Sequence, residues 1–253
     1  MSKHKTTALV TGASAGLGAE FCRRLADHCE VIVAVARRGD RLAALAAELG
    51  DAVEFHALEA DLNSVEGVAR TMETLRQKGP VDYLVNNAGF STFGEFADLP
   101  IDGQRDMVGL HVDTSITLCR AAIPFMRELG GGHIINVSSM GAFLPGKGLA
   151  VYGATKAFLN YYSLALQAEL AGSGIEVQAL CPGYIHTEFH AEIEGQGFDK
   201  GRIPEEMWMT VGEVVSASLA ALGSGRVLVV PGEANQSLAK MGLQQQLDAL
   251  NGA

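Results

Sequence analysis

The chain has 253 residues, 48% of them hydrophobic and 19% charged, which is enough apolar material for a substantial core and excludes a disordered chain. A formal net charge of -10 and a pI near 5.1 argue against a nucleic-acid partner, and no Lys/Arg run offsets them. Apolar runs such as residues 31–36 are far too short to cross a bilayer, and Thr11, Gly12, Ser14 and Gly16 interrupt any signal-peptide core, so a cytoplasmic protein with no membrane partner is expected.

Short apolar runs alternate with longer amphipathic stretches. In chain order the runs are residues 8–10, 31–36, 53–55, 83–85, 133–137, 176–180 and 227–230. Between the first two, Leu17, Phe21 and Leu25 recur at i, i+4 and i+8 beside Cys22 and Ala26, which makes one helical face; Leu42, Leu45 and Leu49 repeat the pattern. Runs with little alternation, separated by helices, predict a seven-stranded parallel sheet covered on both faces. With no low-complexity linker and no repeat, residues 1–253 read as one doubly wound, Rossmann-type α/β domain. Cys22, Cys29, Cys119 and Cys181 show no metal spacing and are expected as buried thiols. His186 and His190 stand four apart but lack a third ligand, so no metal is expected.

The unusual residues fall at one edge. Residues 12–18 follow the first predicted strand, Arg37 the second, Asp61 the third, 86–89 the fourth, Ser138 and Ser139 the fifth, and Pro182-Gly183 the sixth. These are all carboxyl ends of parallel strands, where open α/β sheets bind ligands. In TGASAGLG from Thr11, Gly12 permits a tight turn, Gly16 lets backbone approach a pyrophosphate, and Gly18 lets the following helix pack close. The helix start adds free N–H groups for phosphate. A merely tight turn is the competing reading, and the absence of Gly-Lys-Ser/Thr excludes a nucleotide P-loop. Arg37 and Arg38 end the second strand, where an acidic residue would repel a 2′-phosphate and an Arg would pair with it. NADP is therefore expected over NAD, the alternative being a solvated arginine pair.

Tyr152-Gly153-Ala154-Thr155-Lys156 begins a predicted helix running to about Ala171, with the phenol and ammonium on one face. A nearby ammonium favours phenolate, and Ser139, thirteen residues upstream, is placed to hold a substrate oxygen beside the Tyr proton. Alone, Tyr-x-x-x-Lys also suits an ordinary amphipathic helix.

With these motifs in order, including Asp61-Leu62, NNAG at 86 and Pro182-Gly183 followed by Thr187, the chain resembles the single-domain branch of the short-chain dehydrogenase/reductase family from Thr11 to Gly232. The resemblance implies Tyr152 as acid/base, Ser139 as orienter of the carbonyl, and Lys156 as both tuner of the phenol and holder of the nicotinamide ribose. It also implies a glycine turn of Gly12, Ser14, Gly16, Leu17 and Gly18, and adenine contacts from Asp61 and Leu62. Asn87, Ala88 and Gly89 would support the cofactor, and Pro182, Gly183 and Thr187 would hold the nicotinamide. One position departs: His111 stands where the family usually has an Asn that anchors a water linking the Lys to solvent. Its imidazole is expected either to relay protons itself or to pack in its helix. If the relay is impaired, the chain is an NADP-binding regulatory protein; a sugar-nucleotide epimerase relative is disfavoured by the short chain.

Residues 188–210 leave the strand–helix rhythm and carry Phe189, Ile193, Phe198, Met207, Trp208 and Met209. The resemblance makes this a lid over a small, partly hydrophobic carbonyl or alcohol, against ordinary packed helices. It also implies a homodimer or homotetramer paired through helices that include the one bearing Tyr152.

Overall fold

The computed structural model describes residues 4–191 and 200–251. Its strands are β1 (Thr7–Thr11), β2 (Val31–Ala36), β3 (Glu54–Glu59), β4 (Tyr83–Asn86), β5 (Gly132–Val137), β6 (Ile175–Leu180), β7 (Tyr184–Ile185), β8 (Trp208–Met209) and β9 (Leu228–Val229). Seven of them form one sheet in the order β3-β2-β1-β4-β5-β6-β9, every neighbouring pair parallel. The order reverses between β1 and β4, which opens a crevice above their carboxyl ends. The helices are α1 (Gly16–Leu25), α2 (Gly39–Leu49), α3 (Val65–Lys78), α4 (Ile101–Val108), α5 (Thr114–Leu129), α6 (Ala150–Glu169), α7 (Glu188–Ala191), α8 (Val211–Ala220) and α9 (Glu233–Leu250).

Side-chain alternation divides the core. Ala8 and Val10 of β1, with Ile32 and Ala34 of β2, pack with Phe21 and Leu25 of α1 and with Val214 and Val215 of α8. Leu9, Val33 and Leu84 point to the other face and meet Leu75 of α3, Leu118 and Met126 of α5 and Leu166 of α6. Burying a Leu, Ile or Phe of this kind contributes roughly 1.5–3 kcal/mol. All six residues of β2 are buried, as a strand covered on both faces requires. The edge strand β3 alternates between exposed and half-buried positions, and it runs on to Glu59 where apolar patterning ends at Phe55. Backbone pairing with β2, from Val31↔Glu54 to Ala36↔Glu59, carries the strand past its apolar residues. At the other edge β9 keeps only the middle of the expected 227–230 run. The β7–β8 pair was not readable, because two-residue strands carry no period.

Helix α6 begins at Ala150, a half-turn before Tyr152, and ends at Glu169. Helices α4 and α5 are joined by a π-helical turn, Gly109–Asp113, which contains His111. Cys22, Cys29, Cys119 and Cys181 are all buried free thiols. Among the described residues no group of three His, Cys, Asp or Glu could hold a metal, and no helix is long and apolar enough to cross a membrane. Of the expected lid, Ile193 and Phe198 lie outside the described residues, as does the side chain of His190.

Candidate active site

A cleft of about 390 Å³ runs along the crevice between β1 and β4. The glycine turn, the arginines after β2, Asp61 and Leu62, residues 87–89, Ser139, Tyr152, Lys156, Pro182, Gly183 and Thr187 line it; Gly18 and His111 stand behind that lining. Gly12 adopts φ +66° and Gly16 φ +54°, a region that side chains disfavour. A Cβ on Gly18 would collide with the Gly12 carbonyl oxygen, so the helix packs on the turn only with glycine there. Helix α1 starts at Gly16 behind Ala15, whose side chain gives no cap, and has no acidic residue in its first turn. By contrast Ser64 caps α3, and Thr210 with Glu213 builds a capping box on α8. The free N–H groups and positive dipole end of α1 thus face the cleft and suit a pyrophosphate.

The turn is braced from β4. Thr11 Oγ1 accepts the backbone N–H groups of Asn87 (2.9 Å) and Ala88 (3.0 Å). Asn87 Nδ2 donates to the Thr11 carbonyl at 2.9 Å. Asn87 therefore holds the turn's shape with its amide donor, a role the motif alone does not disclose, and Thr11 is a supporting residue the sequence reading missed. Leu62 is buried in the core as well as lining the cleft. Asp61 accepts from the Asn63 N–H at 3.0 Å, which orders the turn after β3.

At the adenosine end, the exposed Arg37 takes part in no ion pair among the described residues. Arg38 is engaged: its Nε and Nη2 donate to Ser14 Oγ at 3.1 and 3.0 Å, and its Nη1 to Glu188 at 3.0 Å. Arg41 donates to the same carboxylate at 2.7 Å. Glu188 was not singled out in the sequence.

At the other end, α6 is locked onto β5. Ser138 Oγ donates to the Lys156 carbonyl (2.9 Å), and Lys156 Nζ donates to the Val137 carbonyl (2.9 Å). Nζ lies 5.7 Å from the centre of the Tyr152 ring. Burial lowers the Lys156 ammonium to about 8. Burial also pushes the Tyr152 phenol up to about 12, against a hydrogen bond with Ser139 that pulls it down. The expected lowering of the phenol toward neutrality is thus not met in this state, because desolvation of the phenolate outweighs its favourable neighbours. Gly141 makes room for Tyr152: a Cβ there would sit 3.3 Å from the ring.

His111 is 1% exposed. Its Nε2 accepts the Phe90 N–H at 3.2 Å, and its Nδ1 is 2.8 Å from Thr155 Oγ1, whose own proton goes to the Tyr152 carbonyl. Only a neutral imidazole protonated on Nδ1 satisfies all three bonds. Burial, then the positive charge of Lys156, hold its pKa well below the ordinary value. The relay expected of an exposed imidazole does not fit this arrangement. Instead the side chain ties the loop after β4 to the first turns of α6. Gly89 allows this, since a Cβ there would sit 2.6 Å from Nε2.

A glycine turn on a free helix start, an arginine corner and a Ser–Tyr–Lys group facing one cleft define a dinucleotide-dependent dehydrogenase or reductase. Residues 6–196 match the short chain dehydrogenase family. A probable NADP-dependent dehydrogenase of Haemophilus influenzae is 36% identical over 197 residues, covering 75% of this chain and 77% of the relative. A short-chain dehydrogenase from Sphingobium yanoikuyae, solved in complex with NADPH, superposes with TM-score 0.84 at 35% identity, covering 96% of this chain and 95% of that one. The bulky-bulky ketone specific alcohol dehydrogenase from Comamonas testosteroni gives TM-score 0.80 at 29% identity, with 97% and 95% covered. The chain belongs to the short chain dehydrogenase family.

Proposed function

We propose that this NADP-dependent oxidoreductase moves a hydride between NADP(H) and the carbonyl or alcohol carbon of a small, partly hydrophobic substrate. The observation that carries the reading is the meeting of Ser139, Tyr152 and Lys156 at one end of a cleft whose other end is a cationic corner of Arg37 and Arg38. When bound, NADPH supplies the hydride. Gly12, Gly16 and the start of α1 would receive the pyrophosphate, Ser14, Arg37 and Arg38 the 2′-phosphate, and Asp61 and Leu62 would border the adenine. Pro182, Gly183 and Thr187 would flank the nicotinamide, and Lys156 would hold its ribose hydroxyls. Ser139 orients the substrate carbonyl, and Tyr152 donates the phenolic proton to its oxygen as the carbon is reduced.

An apolar side chain supports the substrate class. Phe189, which lines the cleft, lies 6.1 Å from the Tyr152 ring. Residues 188–210 act as the lid of a single catalytic domain. In the test, NADPH oxidation is followed over a panel of aldehydes, ketones and diketones, with NADH as the comparison. Turnover of aromatic or aliphatic ketones with NADPH favoured is expected. NADPH binding with no carbonyl reduced would instead support a regulatory protein.

A homodimer or homotetramer completes the proposal. Phe96 (57% exposed), Tyr161 (76%) and Leu164 (45%) lie outward on or beside α4 and α6, a costly apolar surface for a monomer. Light scattering is expected to give a multiple of 26.6 kDa. Four free thiols suit a reducing compartment and so the cytoplasm, which cell fractionation checks.

A further inference from the structure

Three consecutive residues after β7 reach across the cofactor cleft. Thr187 lies against the glycine turn: a Cβ on Gly16 would sit 3.4 Å from its methyl group. Phe189 packs toward Tyr152, with ring centres 6.1 Å apart. Between them Glu188, the first residue of α7, sends its carboxylate to the far wall, where Arg38 meets it at 3.0 Å and Arg41 at 2.7 Å. The same Arg38 holds Ser14 Oγ with its remaining donors. An anion therefore already occupies Arg38, the arginine that also holds Ser14, and it comes from the chain itself.

We propose that Glu188 is an internal competitor for the 2′-phosphate, a stand-in carboxylate that NADP(H) displaces from Arg38. The inference rests on the assignment of that corner to the 2′-phosphate. A phosphate monoester carries more charge than a carboxylate and three acceptor oxygens, so it wins the guanidinium. Glu188 then keeps Arg41, and the strap at Thr187 to Phe189 loses one of its two ties to the Arg38 wall. A cofactor with a plain 2′-hydroxyl has no means of breaking the pair and meets the strap as it stands. The carboxylate thus lowers affinity for NADP(H) while leaving NAD(H) nearly untouched, and it couples the identity of the ribose substituent to the segment that approaches Tyr152. Both partners are exposed, so the competition weakens as salt rises.

The corner can be read without turnover. Binding of adenosine 2′,5′-bisphosphate, of 5′-AMP and of NADPH and NADH is measured by calorimetry or fluorescence on wild type and Glu188→Gln. Removing an exposed competitor is expected to tighten the bisphosphate and NADPH by about three- to tenfold. Affinity for 5′-AMP and NADH should stay within about twofold, the scale of an untouched surface site. Raising the salt should narrow the gap between wild type and variant. Unchanged or weakened bisphosphate binding in Glu188→Gln would overturn the inference, the second outcome meaning that Glu188 positions Arg38 for the phosphate. Wild type that binds NADPH no better than NADH would instead sink the phosphate assignment itself. A wild-type preference that the variant leaves intact sinks only the role of Glu188.

Discussion

Replacing Tyr152 by Phe is expected to cut carbonyl reduction by at least about 100-fold, the usual reach of positioned acid–base catalysis, while NADPH binding persists. The change removes one oxygen and leaves the ring. That ring is held by packing rather than by its hydroxyl: it abuts Gly141, meets the edge of His111 with centres 6.0 Å apart, and lies beside Phe189. Loss of the hydrogen bond to Ser139 costs only about 1 kcal/mol, too little to unfold the protein. The proton, by contrast, has no better-placed donor among the described residues. Lys156 is directed at the Val137 carbonyl, and the Ser139 hydroxyl oxygen accepts from Gly141. Oxidation of NADPH over the carbonyl panel, paired with NADPH titration, separates the two effects. A Phe variant that turns over at near the wild-type rate would remove Tyr152 from the mechanism.

How much of this was legible depends on whether a feature is written in one segment or across several. The glycine turn was readable because Gly12 and Gly16 occupy positive φ and Gly18 presses on the turn's own backbone, demands that restrict the residue type locally. All seven sheet strands were placed within one residue at their starts, since buried parallel strands are continuous apolar runs. The end of β3 was not, because edge pairing is set by a neighbouring backbone. Glu188 was invisible for a related reason: its partner Arg38 stands 150 positions away, and nothing in the local sequence aims one at the other. His111 was visible as a departure, yet the sequence left the choice between relay and packing open. Its burial, the Phe90 N–H that takes Nε2 and the nearby Lys156 charge come from three different segments. The rise of the Tyr152 phenol has the same origin, since desolvation belongs to the folded surroundings rather than to the Tyr-x-x-x-Lys spacing.

Lys156→Met should lower both NADPH affinity, by about tenfold or more, and turnover, by about 100-fold or more, and in this it should differ from Tyr152→Phe. The side chain is 5% exposed, and Met fills its place without a buried charge, so loss of fold is not expected to confuse the result. The pH dependence gives the sharper reading. In the free protein burial brings the ammonium to about 8, so it is charged below that pH and neutral above. An anionic cofactor favours the charged form, and the sign follows: wild-type affinity for NADPH is full below pH 8 and falls as pH rises through it, whereas the Met variant, with nothing to titrate there, stays flat. Turnover tests the neighbour. His111 is held neutral far below its ordinary range, so the kcat profile should show no imidazole limb near pH 6.5, in wild type or in His111→Asn. His111→Leu should slow turnover at every pH, because the Phe90 N–H loses its acceptor and the loop after β4 loses its tie to Thr155. Equal wild-type affinity for NADPH at pH 7 and at pH 9.5 would contradict the role given to Lys156. A kcat limb near pH 6.5 that disappears in His111→Asn would restore the proton relay.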